Sequence, residues 1–303
     1  DCEWASKQMI KVDNHYTITH LGDDINTPYA EFAPVANGDN LYFSTLRYET
    51  ERFTKNRLLS FSKIMKSQKG IINAILLDSY DATDKHIAHT TFTKAGDRAY
   101  FTVCGYNKNK EINCDLFTAA LLKKDNWGSI SPLSEMINVE ETTSTQPNIG
   151  YVGNQAYLYF VSDREGGKGK DDIWRSKLKA DGTLSAPENL KSINTEGDDI
   201  TPFFHENTNT LYFSSNGRKN MGGFDVYSAK ISDDGASDIE HFGLPLNSSY
   251  NDVYFTLSAD EELGHISSNR PESKYRVDIL ASCCYDLYRL DFENHLILLA
   301  NLY

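Results

Sequence analysis

Short apolar runs alternate with polar turns along the whole chain, and helical periodicity is nearly absent. "LYFSTL" (41–46), "AYFTVC" (99–104), "AYLYFVS" (156–162) and "LYFSS" (211–215) have the length and aromatic content of strands. Each follows a turn rich in residues that tolerate positive φ: "NGDN" (37–40), "AGDR" (95–98), "VGNQ" (152–155) and "NTNT" (207–210). The exception is the start, where Cys2, Ala5 and Met9 share one face of a short helix end.

The pattern repeats. Five segments, Thr27–Arg47, Ile87–Phe117, Thr145–Leu178, Ile200–Ile231 and Asn251–Leu290, share one plan: apolar strand, polar turn, second strand, loop, third strand. Tyr42-Phe43, Tyr100-Phe101, Tyr159-Phe160 and Tyr212-Phe213 fill the same slot, which holds Gly264-His265-Ile266 in the fifth copy. A period of about 50–60 residues is that of a four-stranded propeller blade. Stretches between copies, such as "AILLDS" (74–79) and "SDIEHFGL" (237–244), supply fourth strands. The segment "YTITHLGDDINT" (16–27) resembles the connectors "LKSINTEGDDIT" (190–201) and "PLNSSYND" (245–252). A strand there completes the last blade and leaves no exposed edge at the seam. The expected fold is all-β: a five-bladed β-propeller of four-stranded antiparallel blades, closed by an N-terminal strand.

Charge narrows the partners. A net charge of −13 and a pI near 5.0 argue against a nucleic-acid-binding domain and against docking on an anionic membrane face, though not against a local basic patch. No apolar run is long enough to cross a bilayer. The first residues lack a signal-peptide pattern and do not begin with Met, so the chain reads as a piece of something longer. Cys104 and Cys114 close a polar loop between adjacent strands and are a disulfide candidate; with them an oxidising compartment is expected. Cys2, Cys283 and Cys284 have no assigned pairing, and no paired C-x-x-C spacing marks a zinc site.

One loop looks chemical: "SDREGGKGKDDIW" (162–174). It recurs as "SSNGRKNMGGFDVY" (214–227) and "SSNRPESKYRVDIL" (267–280), and a device present in several blades does structural work in each. Arg164, Arg218 and Arg270 are expected to face Asp172, Asp225 and Asp278 across their hairpins through charge-assisted hydrogen bonds. The pairs Gly166-Gly167 and Gly222-Gly223 are expected to reverse the chain through positive φ. A P-loop and an EF-hand do not fit this loop. "HIAH" (86–89) reads as two ordinary histidines, "SFSK" (60–63) lacks its partner motifs, and no G-x-S-x-G elbow occurs. No catalytic, cofactor or metal residue is assigned, and no cofactor is expected. Carboxylates about 5–10 Å apart in the central channel would mark a glycosidase.

"FVSDREGGKGKDDIWRSKL" and "YFSSNGRKNMGGFDVYSAKI" resemble the TolB-type propeller repeat, over about residues 16–290. "SINTEGDDITPFF" (192–204) is similar to propellers of multi-domain OmpA-family lipoproteins of Bacteroidetes, among them a component of the type IX secretion system. The resemblance implies that residues 1–12 end a tetratricopeptide-like helical domain. It places the propeller at 13–292, with 293–303 an exit strand or the start of a following β domain. It further implies a periplasmic, outer-membrane-associated location. The function expected from it is a non-catalytic interaction scaffold, not an enzyme, with protein partners in a secretion or motility complex. Peptidoglycan would be reached only through a domain outside this chain, and neither nucleic acid nor direct membrane insertion is expected. The alternatives are a five-bladed propeller glycoside hydrolase and a non-hydrolytic glycan-binding propeller.

Overall fold

The structure, a computed structural model, describes residues 2–8, 15–54, 57–77, 80–107, 111–122, 126–233, 235–274 and 285–293. The apolar runs become strands of five sheets, one for each repeat. Blade 1 holds β2 (Glu31–Asn37), β3 (Asn40–Thr54), β4 (Arg57–Gln68) and β5 (Ile71–Ala74). Blade 2 holds β7 (His86–Phe92), β8 (Arg98–Tyr106), β9 (Ile112–Leu121) and β10 (Asn126–Pro132). Blade 3 holds β11 (Ser144–Val152), β12 (Gln155–Ser162), β13 (Asp172–Leu178) and the two-residue β14 (Glu188–Asn189). Blade 4 holds β15 (Asp199–His205), β16 (Thr210–Ser215), β17 (Asp225–Ser232) and β18 (Gly235–His241). Blade 5 holds β19 (Asp252–Leu257), β20 (Leu263–Ser268) and β21 (Asp286–Phe292). Its fourth strand is β1 (Tyr16–His20), antiparallel to β21 with Tyr16 opposite Phe292.

The first strands β2, β7, β11, β15 and β19 each pack on the first strands of the blades before and after, which closes the ring. The core lies between blades. Phe43, Phe101, Phe160 and Phe213, from the recurring Tyr-Phe slot, are fully buried, as is Ile266 in the fifth copy. Blades 3 and 4 share the largest cluster, where Tyr159 stacks on Phe204 at 5.5 Å. At the seam, Phe43 and Met65 of blade 1 meet Leu287 of blade 5.

Two expectations change. The fourth strand of blade 1 is Ile71–Ala74 rather than 74–79, and β6 (Leu76–Leu77) instead joins blade 2, parallel to β10. In blade 5 the third strand begins at Asp286, which pairs directly with Ser268 at the end of β20; Asp278 lies outside the described residues. Cys283, Cys284 and the tail 295–303 also lie outside them. At the start, α1 (Cys2–Gln8) sets the Trp4 ring edge-on to His241 of blade 4, 4.9 Å between centroids.

Candidate functional site

In blades 3 and 4 the arginine and aspartate of the repeated loop are not paired with each other. Arg164 donates to Met136 O (3.0 Å), Ile137 O and the Ser144 and Ser162 hydroxyls. Arg218 donates to Ile193 O, and Arg270 to Leu246 O and to Asp252 (2.5 Å each). Arg47 repeats the pattern on Ile25 O (2.6 Å) and Glu31 (3.2 Å). Each guanidinium thus reaches back to the connector that enters its blade. The next connector residue is an asparagine. Asn26, Asn138, Asn194 and Asn247 each exchange two hydrogen bonds with the backbone of the preceding blade, at Leu287, Leu116, Ile173 and Val226. Arginine and asparagine together fasten one blade to the next through a single Ile-Asn or Leu-Asn step.

The aspartates do something else. Asp172 accepts the backbone N–H groups of Lys168 (2.6 Å) and Gly169 (2.9 Å) and the Asn189 amide (2.9 Å). Asp225 accepts from Met221 (2.5 Å) and Gly222 (3.3 Å) and lies 2.8 Å from His241. Asp286 accepts from Lys274 (2.9 Å) and lies 2.7 Å from His20. Each carboxylate folds its own loop and grips the fourth strand. Of the two glycine pairs, only Gly166 has positive φ (+92°). The others are needed for close approach: a Cβ on Gly222 would sit 2.0 Å from Tyr250 O.

Blade 2 breaks this pattern. Asp115 occupies the aspartate position, two residues before Phe117, which pairs Phe101 as Trp174 pairs Phe160. A Cys104–Cys114 disulfide holds the neck of its hairpin, where the two residues are direct cross-strand partners. The fourth-strand position filled by Asn189, His241 and His20 elsewhere is Pro132 here, which has no N–H and no side-chain donor. Among the described residues no hydrogen-bond donor reaches the Asp115 carboxylate. Burial raises its pKa, and the Lys85 charge partly offsets this. Asp115 opens on a cleft of about 660 Å³, shared with Lys85, Tyr106, Asn107, Asn113, Glu140 and Glu141.

The central channel carries a second constellation. In every first strand a bulge places one non-glycine residue at φ between +51° and +57°: Ala33, His89, Gln146, Thr201 and Tyr254. Proline follows at three of them, Pro34, Pro147 and Pro202, where the ladder has released the N–H. All five line the channel, around a cavity of about 40 Å³. His89 Nε2 lies 2.8 Å from the Tyr254 hydroxyl, and Nδ1 lies 3.2 Å and 3.3 Å from the Thr102 and Thr145 hydroxyls. Desolvation lowers the His89 pKa to about 3 and raises that of Tyr254. His86, the other histidine of the "HIAH" stretch, instead accepts from Ser62 N–H (3.2 Å). None of the residues that line this cavity is a carboxylate. The acidic residues that open the first strands are buried and engaged locally: Glu31 by Thr27 and Thr45, Asp199 by Thr195, and Asp252 by Ser248 and Ser268. Among the described residues no three His, Cys, Asp or Glu side chains gather as a metal site.

No family model and no curated protein matches the chain. Solved structures do match it in fold. A thermostable family-43 glycoside hydrolase aligns over 84% of this chain and 88% of its own, with TM-score 0.53 and 13% identity. An α-L-arabinofuranosidase from Lactobacillus brevis covers 88% and 92%, with TM-score 0.52 and 9% identity. A protein of unknown function from Dyadobacter fermentans covers 86% and 75%, with TM-score 0.52 and 10% identity. These likenesses correct the expectation that the chain is not an enzyme: its architecture is shared with hydrolases and carries no such exclusion.

Proposed function

We propose that the chain is a propeller of the glycoside hydrolase type, acting on a saccharide held in the cleft over blade 2. The observation that carries this reading is Asp115. Three equivalent aspartates are locked into their loops, whereas Asp115 keeps the position, has lost every donor, and faces the cleft with a raised pKa. A carboxyl that holds its proton more tightly than usual suits a general acid at a glycosidic oxygen. Glu140 or Glu141 supplies the second carboxylate that such chemistry requires. Tyr106, 52% exposed, offers a flat face for a sugar ring.

The experiment is sugar release from a panel of aryl glycosides and soluble polysaccharides by the wild type, Asp115→Asn and Glu140→Gln/Glu141→Gln. Loss of the acid should slow cleavage of unactivated substrates by about 10²–10⁴-fold. An unchanged rate in Asp115→Asn rejects the assignment. Saturable oligosaccharide binding by a wild type that releases no sugar assigns the chain instead to non-hydrolytic glycan binding. We further propose that it works in the periplasm, as a module of an outer-membrane-associated protein with protein partners. The TolB-type repeat and the Cys104–Cys114 disulfide support that part.

A further inference from the structure

Four of the five blade junctions carry the arginine–asparagine fastening; the junction between blades 1 and 2 does not. Its connector, residues 75–85, contains no asparagine, and blade 2 has no arginine at the loop position. Blade 1 departs as well: opposite Thr45, where Ser162 faces Asp172 and Ser215 faces Asp225, stands Lys63. At this junction a cavity of about 180 Å³ remains, walled by Ile64, Ile75, Leu77, Ala82 and Ile87, with Tyr80 and Leu76 at its margin.

Lys63 lies in that wall and makes one described hydrogen bond, to Ala82 O at 3.1 Å. An ammonium has three donors, so two are left for a ligand. The carboxylate whose charge reaches it, Asp81, is fully exposed and accepts the Thr83 N–H of its own turn (2.9 Å). Burial lowers the Lys63 pKa, and the Asp81 charge partly offsets this.

We propose that this cavity is a binding site for a small aliphatic carboxylate, with the Lys63 ammonium as counter-ion and the Ile64, Ile75, Leu77 and Ile87 side chains around the hydrocarbon. An apolar cavity of about 150 Å³ accommodates benzene, so the volume here suits a chain of about six carbons. A ligand without the carboxylate would leave the ammonium unpaired in a largely apolar wall, and a ligand amine would repel it. The site shares no lining residue with the saccharide cleft and does not depend on that reading.

The test is calorimetric titration of the full chain with hexanoate, 1-hexanol and hexylamine, which needs no variant. Saturable one-to-one binding of hexanoate is expected, with 1-hexanol at least about tenfold weaker, the worth of one charge-assisted hydrogen bond. Hexylamine should not bind. Lys63→Met, which keeps the apolar stem, should bring hexanoate down to the level of 1-hexanol. The proposal is overturned if hexanoate does not saturate, if 1-hexanol or hexylamine binds as well, or if Lys63→Met leaves hexanoate affinity intact.

Discussion

The channel histidine makes stability depend on acidity in a way that can be isolated. His89 titrates near 6.5 in an unfolded chain and at about 3 in the folded one. Between those values only the unfolded state takes up its proton, so stability falls as the pH drops below 6.5 and stops falling near 3. At 1.36 kcal/mol per unit, moving from pH 7 to pH 5 removes about 2 kcal/mol through His89 alone. His265, with its pKa lowered to about 4, adds a similar loss. Glu31 and Asp199, whose pKa values burial raises, act in the opposite direction, because their desolvated charge is relieved on protonation. The raw slope of the wild type therefore mixes several groups. The comparison with His89→Gln does not, since the amide can still reach the Tyr254 hydroxyl but cannot titrate. Urea unfolding at pH 5, 6 and 7 should show the wild type losing about 2 kcal/mol more than the variant across that range. The variant can be less stable at every pH without affecting the argument, because only the difference in slope is read. Equal slopes would mean that the imidazole is already solvated in the channel.

Other consequences follow from single contacts. Gly222→Ala should destabilise blade 4 by about 2–4 kcal/mol, since the new Cβ meets the Tyr250 carbonyl at 2.0 Å and backbone must move on one side or the other; thermal unfolding reads it. Asn247→Ala should cost about 1–3 kcal/mol in urea unfolding, because it leaves the buried Val226 N–H without an acceptor, while the Val226 carbonyl keeps only the Phe242 N–H. Replacing Cys104 and Cys114 together by serine should lower stability by about 2–3 kcal/mol, the entropy of a closed loop of about ten residues, and mass mapping of an unreduced digest checks the bond directly.

Most of the fold was readable because each blade repeats one pattern of strand and turn. The closing role of Tyr16–His20 was readable because its connector resembles two others. The recurring Arg and Asp were seen, but their partners were assigned to each other. A hairpin alignment shows what lies across a loop, and the actual partners lie elsewhere: carbonyls of the incoming connector for arginine, backbone N–H groups for aspartate. The asparagines were present in the quoted connectors, "INT" (25–27, 193–195) and "LNS" (246–248), and their recurrence was the usable signal. For the channel, the recurring Ala-Pro, Gln-Pro and Thr-Pro steps at 33–34, 146–147 and 201–202 were the clue to the bulges. Without the bulge, His89 reads as one more strand residue. "VDIL" (277–280) has the pattern that opens a third strand but lies outside the described residues, and the same pattern recurs eight residues later in "YDLY" (285–288), where Asp286 opens β21.

The departures from the repeat are not scattered. Blade 1 has exchanged the loop aspartate for Lys63, and blade 2 has lost the arginine and has Pro132 where blades 3, 4 and 5 place a donor. The connector between them has lost the asparagine. A random loss of repeat features would leave half-satisfied sites, with an arginine or an asparagine missing its usual target. Instead both ends of the fastening are absent at the same junction, so no buried guanidinium or amide there is left without its partner. Blade 2 replaces the lost contacts with the Cys104–Cys114 bond, which holds its hairpin without using Asp115. Two cavities open beside this junction and over blade 2, and each contains one charged group released from the repeat, Lys63 in one and Asp115 in the other. A structural position that has shed its structural partners is free to meet a ligand. On this argument, restoring a donor to the fourth strand of blade 2 by Pro132→Asn should lower the Asp115 pKa towards the ordinary carboxylate range. Carboxyl NMR titration reads that change, and a shift in the opposite direction or none at all would show that the missing partner is not what sets Asp115 apart.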